Sequence, residues 1–256
     1  MPDTVTPPLE YGVLGGFRLA RDGVAVEPGA WERPMAARVV RFLLVHRGFV
    51  AEDRLLEAFW PDRDPEAGRR CLTVSVSRCR AVLRQGAIAV RERSYRLALD
   101  ERDSLDSELF EAAAAAVLDR PAEAGAVSAL ERAAALWTGE PLPEDRYADW
   151  TCEWREALMD RHREVLAALS DAYARAGEHG AALRTARRML DGDPLDEGAH
   201  RRVLAGYAAL GRRSRALDQF LHCRRQLVDA VGIEPDRETT DLHARILAGE
   251  LAGVAA

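Results

Sequence analysis

The chain has 256 residues, of which 48% are hydrophobic and 30% charged. That is enough apolar material for two domains with buried cores, and too much for wholesale disorder. All 36 basic residues are arginine, so the chain has no lysine for a Walker A loop, a Schiff base or a protein-kinase site, and those classes are excluded.

Residues 1–10 carry three prolines and little pattern, and read as a flexible arm. Residues 11–26 read as a hairpin: Val13, Leu14, Phe17 and Leu19 are strand-like, Arg21-Asp22-Gly23 supplies the turn, and Val24 and Val26 alternate after it. Pro34 suits a first helical turn. Ala36, Val39, Val40, Leu43 and Leu44 then recur at helical spacing until Gly48. A second short helix is predicted over 52–59, ending at Trp60-Pro61, and a third over 66–85, ending at Gly86. Residues 87–90 and 95–99 flank Arg91-Glu92-Arg93-Ser94 as a second hairpin. Sheet, three helices and hairpin is the order of a winged helix-turn-helix with an N-terminal sheet.

The net charge of −6 conceals a polarity. Residues 69–96 hold eight arginines (69, 70, 78, 80, 84, 91, 93, 96) against Glu92 alone, a balance of +7. Such a window in an acidic chain points to a polyanion. On the third helix Leu72, Val76, Cys79 and Leu83 share one face and are expected in the core. The opposite face carries Arg70, Val74, Ser77, Arg78 and Ala81, with Thr73 and Arg84 at its margin. Arg70, Thr73, Val74, Ser77 and Arg78 are therefore expected to face the major groove. Arg69, Arg80, Arg84, Arg91 and Arg93 are expected to hold phosphates, because long side chains at a helix edge or wing reach outward.

After a polar stretch at 101–107 the pattern is helical: 108–118, 122–137 and 147–176, with a break at 139–143 and with Trp150, Trp154, Leu158, Leu166 and Leu169 inward. Ala172-Tyr173-Ala174, Gly177 and Ala182-Leu183 then recur as Gly206-Tyr207-Ala208, Gly211 and Ala216-Leu217. Each offset is 34 (207 − 173, 211 − 177, 217 − 183), the period of tetratricopeptide repeats. The fold class expected is mainly α: an α+β winged-helix domain with an N-terminal sheet, then an all-α tetratricopeptide-like domain. The boundaries are drawn at 1–10, 11–103 and 104–250.

No metal or cofactor is expected. Cys71 and Cys79 lie eight apart with no CxxC or HExxH, and His46, His162, His179, His200, His222 and His243 share no ligand spacing. The four cysteines are too few and scattered for a disulfide framework, and no apolar run approaches the ~20 residues of a membrane span. A reducing cytoplasm is the default, and no catalysis is expected.

Several short motifs, in this order and spacing, resemble the Streptomyces antibiotic regulatory protein (SARP) family of transcriptional activators. They are Leu14-Gly15-Gly16-Phe17 with Arg21-Asp22-Gly23, Leu55-Leu56-Glu57-Ala58-Phe59-Trp60-Pro61, Leu72-Thr73-Val74-Ser75-Val76-Ser77-Arg78-Cys79-Arg80, and Tyr95-Arg96-Leu97. Leu136-Trp137-Thr138-Gly139-Glu140-Pro141-Leu142 and Leu227-Val228-Asp229-Ala230-Val231-Gly232-Ile233-Glu234-Pro235 continue the series. The resemblance spans residues 14–248. It implies an OmpR-like winged helix joined to a bacterial transcriptional activator domain. It implies binding to direct repeats in double-stranded promoter DNA, commonly of secondary-metabolite clusters, as a head-to-tail dimer, with recruitment of RNA polymerase holoenzyme. The sequence departs from the family at Cys79, where Leu is usual, and at Ser94, where a Gly commonly precedes the Tyr. Larger members carry an ATPase module, for which these residues offer no lysine. An adaptor or ligand-sensing protein whose winged helix does not read DNA is the alternative.

Overall fold

The computed structural model describes residues 7–119 and 125–250. It is mainly α, with the winged helix-turn-helix and its N-terminal sheet ahead of a tetratricopeptide-like helical array. Strands β1 (Leu9–Gly12) and β2 (Arg18–Arg21) pair antiparallel with Tyr11 opposite Leu19. β2 turns into β3 (Val24–Ala25) through Asp22 and Gly23, both at positive φ, the conformation that matches strand twist in a two-residue hairpin. Leu9 and Glu10 thus belong to β1 and not to a flexible arm. Leu9 is buried and its N–H donates to Asp103. Residues 1–6 of that expected arm lie outside the described residues.

α1 (Pro34–His46) buries Ala36, Val39, Val40, Leu43 and Leu44, the stripe its spacing predicted, and Phe42 with them. β4 (Val50–Ala51) leads directly into α2 (Glu52–Phe59). α3 (Pro65–Val82) starts on Asp64, whose carboxylate accepts from the N–H groups of Glu66 and Ala67. Buried Gly68 lets α3 lie against Leu56 of α2, where an added Cβ would sit 3.2 Å from the Leu56 side chain. α3 ends three residues before the predicted stop (85 − 82). β5 (Ile88–Arg91) and β6 (Ser94–Leu97) form the wing, with β4 completing a β4-β6-β5 sheet.

The polar stretch after the wing is not merely a linker. Within it β7 (Ser104–Leu105) joins β1 in parallel and extends the first sheet to the order β3-β2-β1-β7. α4 (Asp106–Leu118) follows, with Asp106 accepting from the N–H groups of Val13 and Leu14. α5 (Ala126–Leu136) is described from its first turn, and residues 122–124 of the helix expected there lie outside the described residues. α6 (Asp149–Arg175) comes next.

The chain divides into two compact units that do not follow sequence order. One joins the residues up to Glu111 with Trp137–Met159, and the other joins Ala112–Leu136 with the chain from Asp160 onward. The break expected at 139–143 is therefore a strand-like return to the first unit. Gly15 N donates to Glu140 O at 2.9 Å and Leu142 N to Val13 O at 2.8 Å. Gly15 and Gly139, both at positive φ, pass so closely that a Cβ on Gly139 would lie 2.9 Å from the Gly15 Cα. Buried Asp145 accepts from Arg38 and Arg41 of α1, and Trp150 and Trp154 pack on the winged-helix core.

The second unit continues through α7 (His179–Gly192), α8 (Glu197–Ala209), α9 (Arg213–Val231) and α10 (Arg237–Ala248). The 34-residue period is visible in the backbone. Gly177 and Gly211 both take positive φ, and Glu178 N donates to Tyr173 O as Arg212 N donates to Tyr207 O, each at 2.9 Å. Asp196 and Asp236 cap α8 and α10 through Ala199 N and Thr239 N. Leu183, Ala186, Val203, Leu204, Tyr207, Ala216 and Phe220 form the core between the stacked helices.

Candidate nucleic-acid interface

α3 buries Leu72, Val76, Cys79 and the following Leu83, the face its spacing predicted. Cys79 behaves as a small core residue. Burial pushes its thiol up to about 12, and it donates to Ala36 O. The opposite face is open: Arg70, Thr73, Val74, Ser77 and Ala81 are exposed, Val74 at 46%. Among the described residues Arg70 meets only Glu66, at 3.9 Å between two solvated side chains, a pairing worth little. The Thr73 hydroxyl donates to Arg69 O and keeps its lone pairs outward-accessible.

The arginines of the basic window fall into two groups. Arg70, Arg91 and Arg96 project into solvent, Arg91 meeting its neighbour Glu92 and Arg96 lying over the exposed ring of Phe49 at 4.8 Å. The others are held by carboxylates or carbonyls distant in sequence. Arg69 and Arg93 both donate to Glu52, and Arg78 pairs with Glu32. Arg80 donates to Ile88 O at 2.7 Å.

Arg84 departs furthest from expectation. Its side chain is 15% exposed and forks onto Asp103, itself 1% exposed, with Asp100 beside it. That geometry makes it a fastener between the end of α3 and the segment before β7, with its guanidinium turned to the buried acid. Its expected role is corrected to a structural one, because a buried acid outcompetes solvent for a nearby guanidinium.

The wing tip is unusual. Glu92 and Arg93 both take positive φ, at 48° and 59°, so a two-residue turn of the primed type is made without glycine or asparagine. Ser94, where a Gly is common in the resembling family, is in β6 and outside the left-handed region.

Sequence reasoning missed the acids Glu32, Glu52 and Asp103. It also missed Arg33 and Arg63, exposed residues that line a cavity of about 440 Å³ beside α3 with Arg70, Val74 and Arg78. No local signal marks the acids, since each partner lies 17 to 46 residues away along the chain. Among the described residues there is no group of three or more metal-ligating side chains, and no helix is long and apolar enough to cross a membrane.

The family model described as "bacterial transcriptional activator domain" matches residues 105–247. The regulatory protein AfsR of Streptomyces griseus is 26% identical over 254 residues, covering 93% of this chain but 24% of AfsR. The transcriptional regulatory protein MoaR1 of Mycobacterium tuberculosis is 24% identical, covering 95% of this chain and 81% of MoaR1. The chain thus spans about a quarter of AfsR and most of MoaR1. Among solved structures, Mycobacterium tuberculosis EmbR in complex with a low-affinity phosphopeptide superposes with a TM-score of 0.80 at 24% identity, over 94% of this chain and 65% of that one.

Proposed function

The chain belongs to the bacterial transcriptional activator domain family, and from that premise we propose that it is a sequence-specific activator working by recruitment. α3 enters the major groove with Arg70, Thr73, Val74 and Ser77 toward base edges, and Arg78 joins them by leaving Glu32. Arg69, Arg80, Arg91 and Arg93 lie against the flanking backbone, and Arg96 is added to this set. Two copies sit head to tail on direct repeats in promoter DNA of a secondary-metabolite cluster, in the cytoplasm, and the complex recruits RNA polymerase holoenzyme.

The observation that carries this reading is the open α3 face. A polar, β-branched and cationic stripe stands exposed beside an arginine-bearing wing, while Leu72, Val76 and Cys79 on the other face of the same helix are in the core. Exposed Val74 fits it, because an apolar side chain in a groove can meet a thymine methyl.

Footprinting upstream of the neighbouring genes tests it. The expected result is protection of two copies of a short sequence on one face of the duplex. Arg70→Ala is expected to weaken binding and reduce the slope of log K against log salt by about one if it meets phosphate, or to relax one base position if it meets guanine. A footprint unchanged by both Arg70→Ala and Ser77→Ala overturns the assignment of α3.

A further inference from the structure

Glu52 is the first residue of α2, where an acid is ordinarily explained by the helix dipole alone. Here its carboxylate is 10% exposed and collects three donors from two other elements. Arg69 Nε of α3 reaches Oε1 at 2.9 Å, Arg93 reaches the same oxygen through Nε at 3.2 Å and Nη2 at 2.5 Å, and the Tyr95 hydroxyl of β6 meets Oε2 at 3.3 Å. The Glu52 backbone N–H also donates to Arg93 O at 2.8 Å. Asp53 stands 3.9 Å from Arg93 but is solvated. One side chain therefore ties the first turns of α3 to the wing.

The arrangement is more than charge neutralisation. Two guanidinium groups share one carboxylate, so the cluster keeps a net positive charge. Both arginines remain partly open, Arg69 at 43% and Arg93 at 60%. Arg93 Nη1 and both Nη atoms of Arg69 make no hydrogen bond among the described residues. A guanidinium held through Nε by a buried acid has lost its rotamer freedom and still presents planar donors outward. A phosphate oxygen accepts from such a donor pair at little further entropic cost.

We propose that Glu52 is a positioning residue that preorganises Arg69 and Arg93 as the two arms of one clamp for a DNA backbone phosphate, fixing the distance between recognition helix and wing. This rests on the DNA-binding reading above. It deepens that reading by making the two arginines one unit governed by an acid that never touches DNA. Burial alone would push the Glu52 carboxyl up. The hydrogen bonds from Arg93 and Arg69 outweigh it and hold the group below the usual carboxylate range, so the clamp stays ionised at neutral pH.

The test measures binding of the full chain by fluorescence anisotropy, on an operator duplex recovered by in vitro selection and on a scrambled duplex, each across a NaCl series. Glu52→Gln is expected to weaken operator binding about tenfold and to weaken the scrambled duplex as well, since a phosphate contact carries no sequence information. In a background of Arg69→Ala with Arg93→Ala, the same substitution is expected to change operator affinity by less than about twofold. Glu52→Asp, which keeps the charge but shortens the reach, is expected to fall between wild type and Glu52→Gln.

If Glu52→Gln tightens both duplexes equally, or still acts when both arginines are gone, Glu52 is only a negative charge near DNA and the proposal fails. Circular dichroism checks the fold of each variant. Should Glu52→Gln not fold, the arginines decide: Arg69→Ala and Arg93→Ala singly should each cost nearly as much as both together, and simple additivity overturns the clamp. If in vitro selection with wild-type protein recovers no duplex, the DNA-binding reading itself has failed, which is a separate outcome.

Discussion

The two compact units use the same residue types to different ends. In the helical unit, Gly177 and Gly211 sit at positive φ in turns where an added Cβ would meet nothing within 4 Å. Each serves its own turn and its neighbours in sequence. In the winged-helix unit, Gly15 and Gly139 also take positive φ, but each lies under the backbone of the other loop, 124 residues away (139 − 15). Stacked helices close locally and can repeat. A small mixed sheet must be closed by chain that returns from afar, and the closing points tolerate no extra atom.

Charge is divided less sharply. Asp236 caps α10 locally but also accepts from Arg201, 35 residues away, much as Asp103 holds Arg84 and the N–H of Leu9.

Four substitutions sharpen or break this comparison. The largest effect is expected at Gly139→Val, which adds backbone strain to a collision with Gly15. A loss of about 4 kcal/mol, confined to the winged-helix unit, should appear in denaturant unfolding. A loss below about 1 kcal/mol shows that the loops part easily.

Next, Asp103→Ala should cost about 3 kcal/mol, since it takes the buried carboxylate from Arg84 and leaves that charge only the solvated Asp100. Its contribution has a defined pH window. Burial raises the Asp103 pKa, but hydrogen bonds from Arg84 and the N–H groups of Asp100 and Leu9 more than reverse this and hold it below 3.8. The stabilisation is therefore complete above the unfolded value of 3.8 and lost as pH falls through the lower folded one. The stability gap between wild type and Asp103→Asn should shrink below that pH, and a constant gap contradicts the pairing.

Gly211→Ala should cost about 1 kcal/mol, the price of a left-handed Cβ with room around it. A loss as large as that at Gly139 erases the distinction between the units. The smallest effect is a gain: Glu92→Asn at the strained wing tip should add about 0.5 kcal/mol, because Asn accepts positive φ more readily. Thermal melts of the pair resolve it.

Much of the fold was legible from the residues alone. The stripe of α1, the buried face of α3 and the 34-residue period each rest on contacts within a turn or between neighbouring helices, so spacing encodes them. The exposed face of α3 was legible for the same reason, as the complement of Leu72, Val76 and Cys79. The fate of the individual arginines was not. Position in a helix says which way a side chain leaves the axis, but not whether a buried acid waits there. Arg84 looked like any edge arginine, and only the fold brings Asp103 to it. Likewise Leu9-Glu10 and Ser104-Leu105 are too short to read as strands, and become strands only by pairing with each other and with β2.

Local periodicity thus determined the helices, their apolar faces, the repeat and the presence of a basic window, because each depends on neighbours the chain itself supplies. Tertiary structure decided which cations stay free, which acids hold the rest, and that residues 137–159 close the first unit and not the second. Those outcomes depend on groups tens of residues apart meeting in a low-dielectric interior, where an unpaired charge or an extra methyl group costs far more than it does in water.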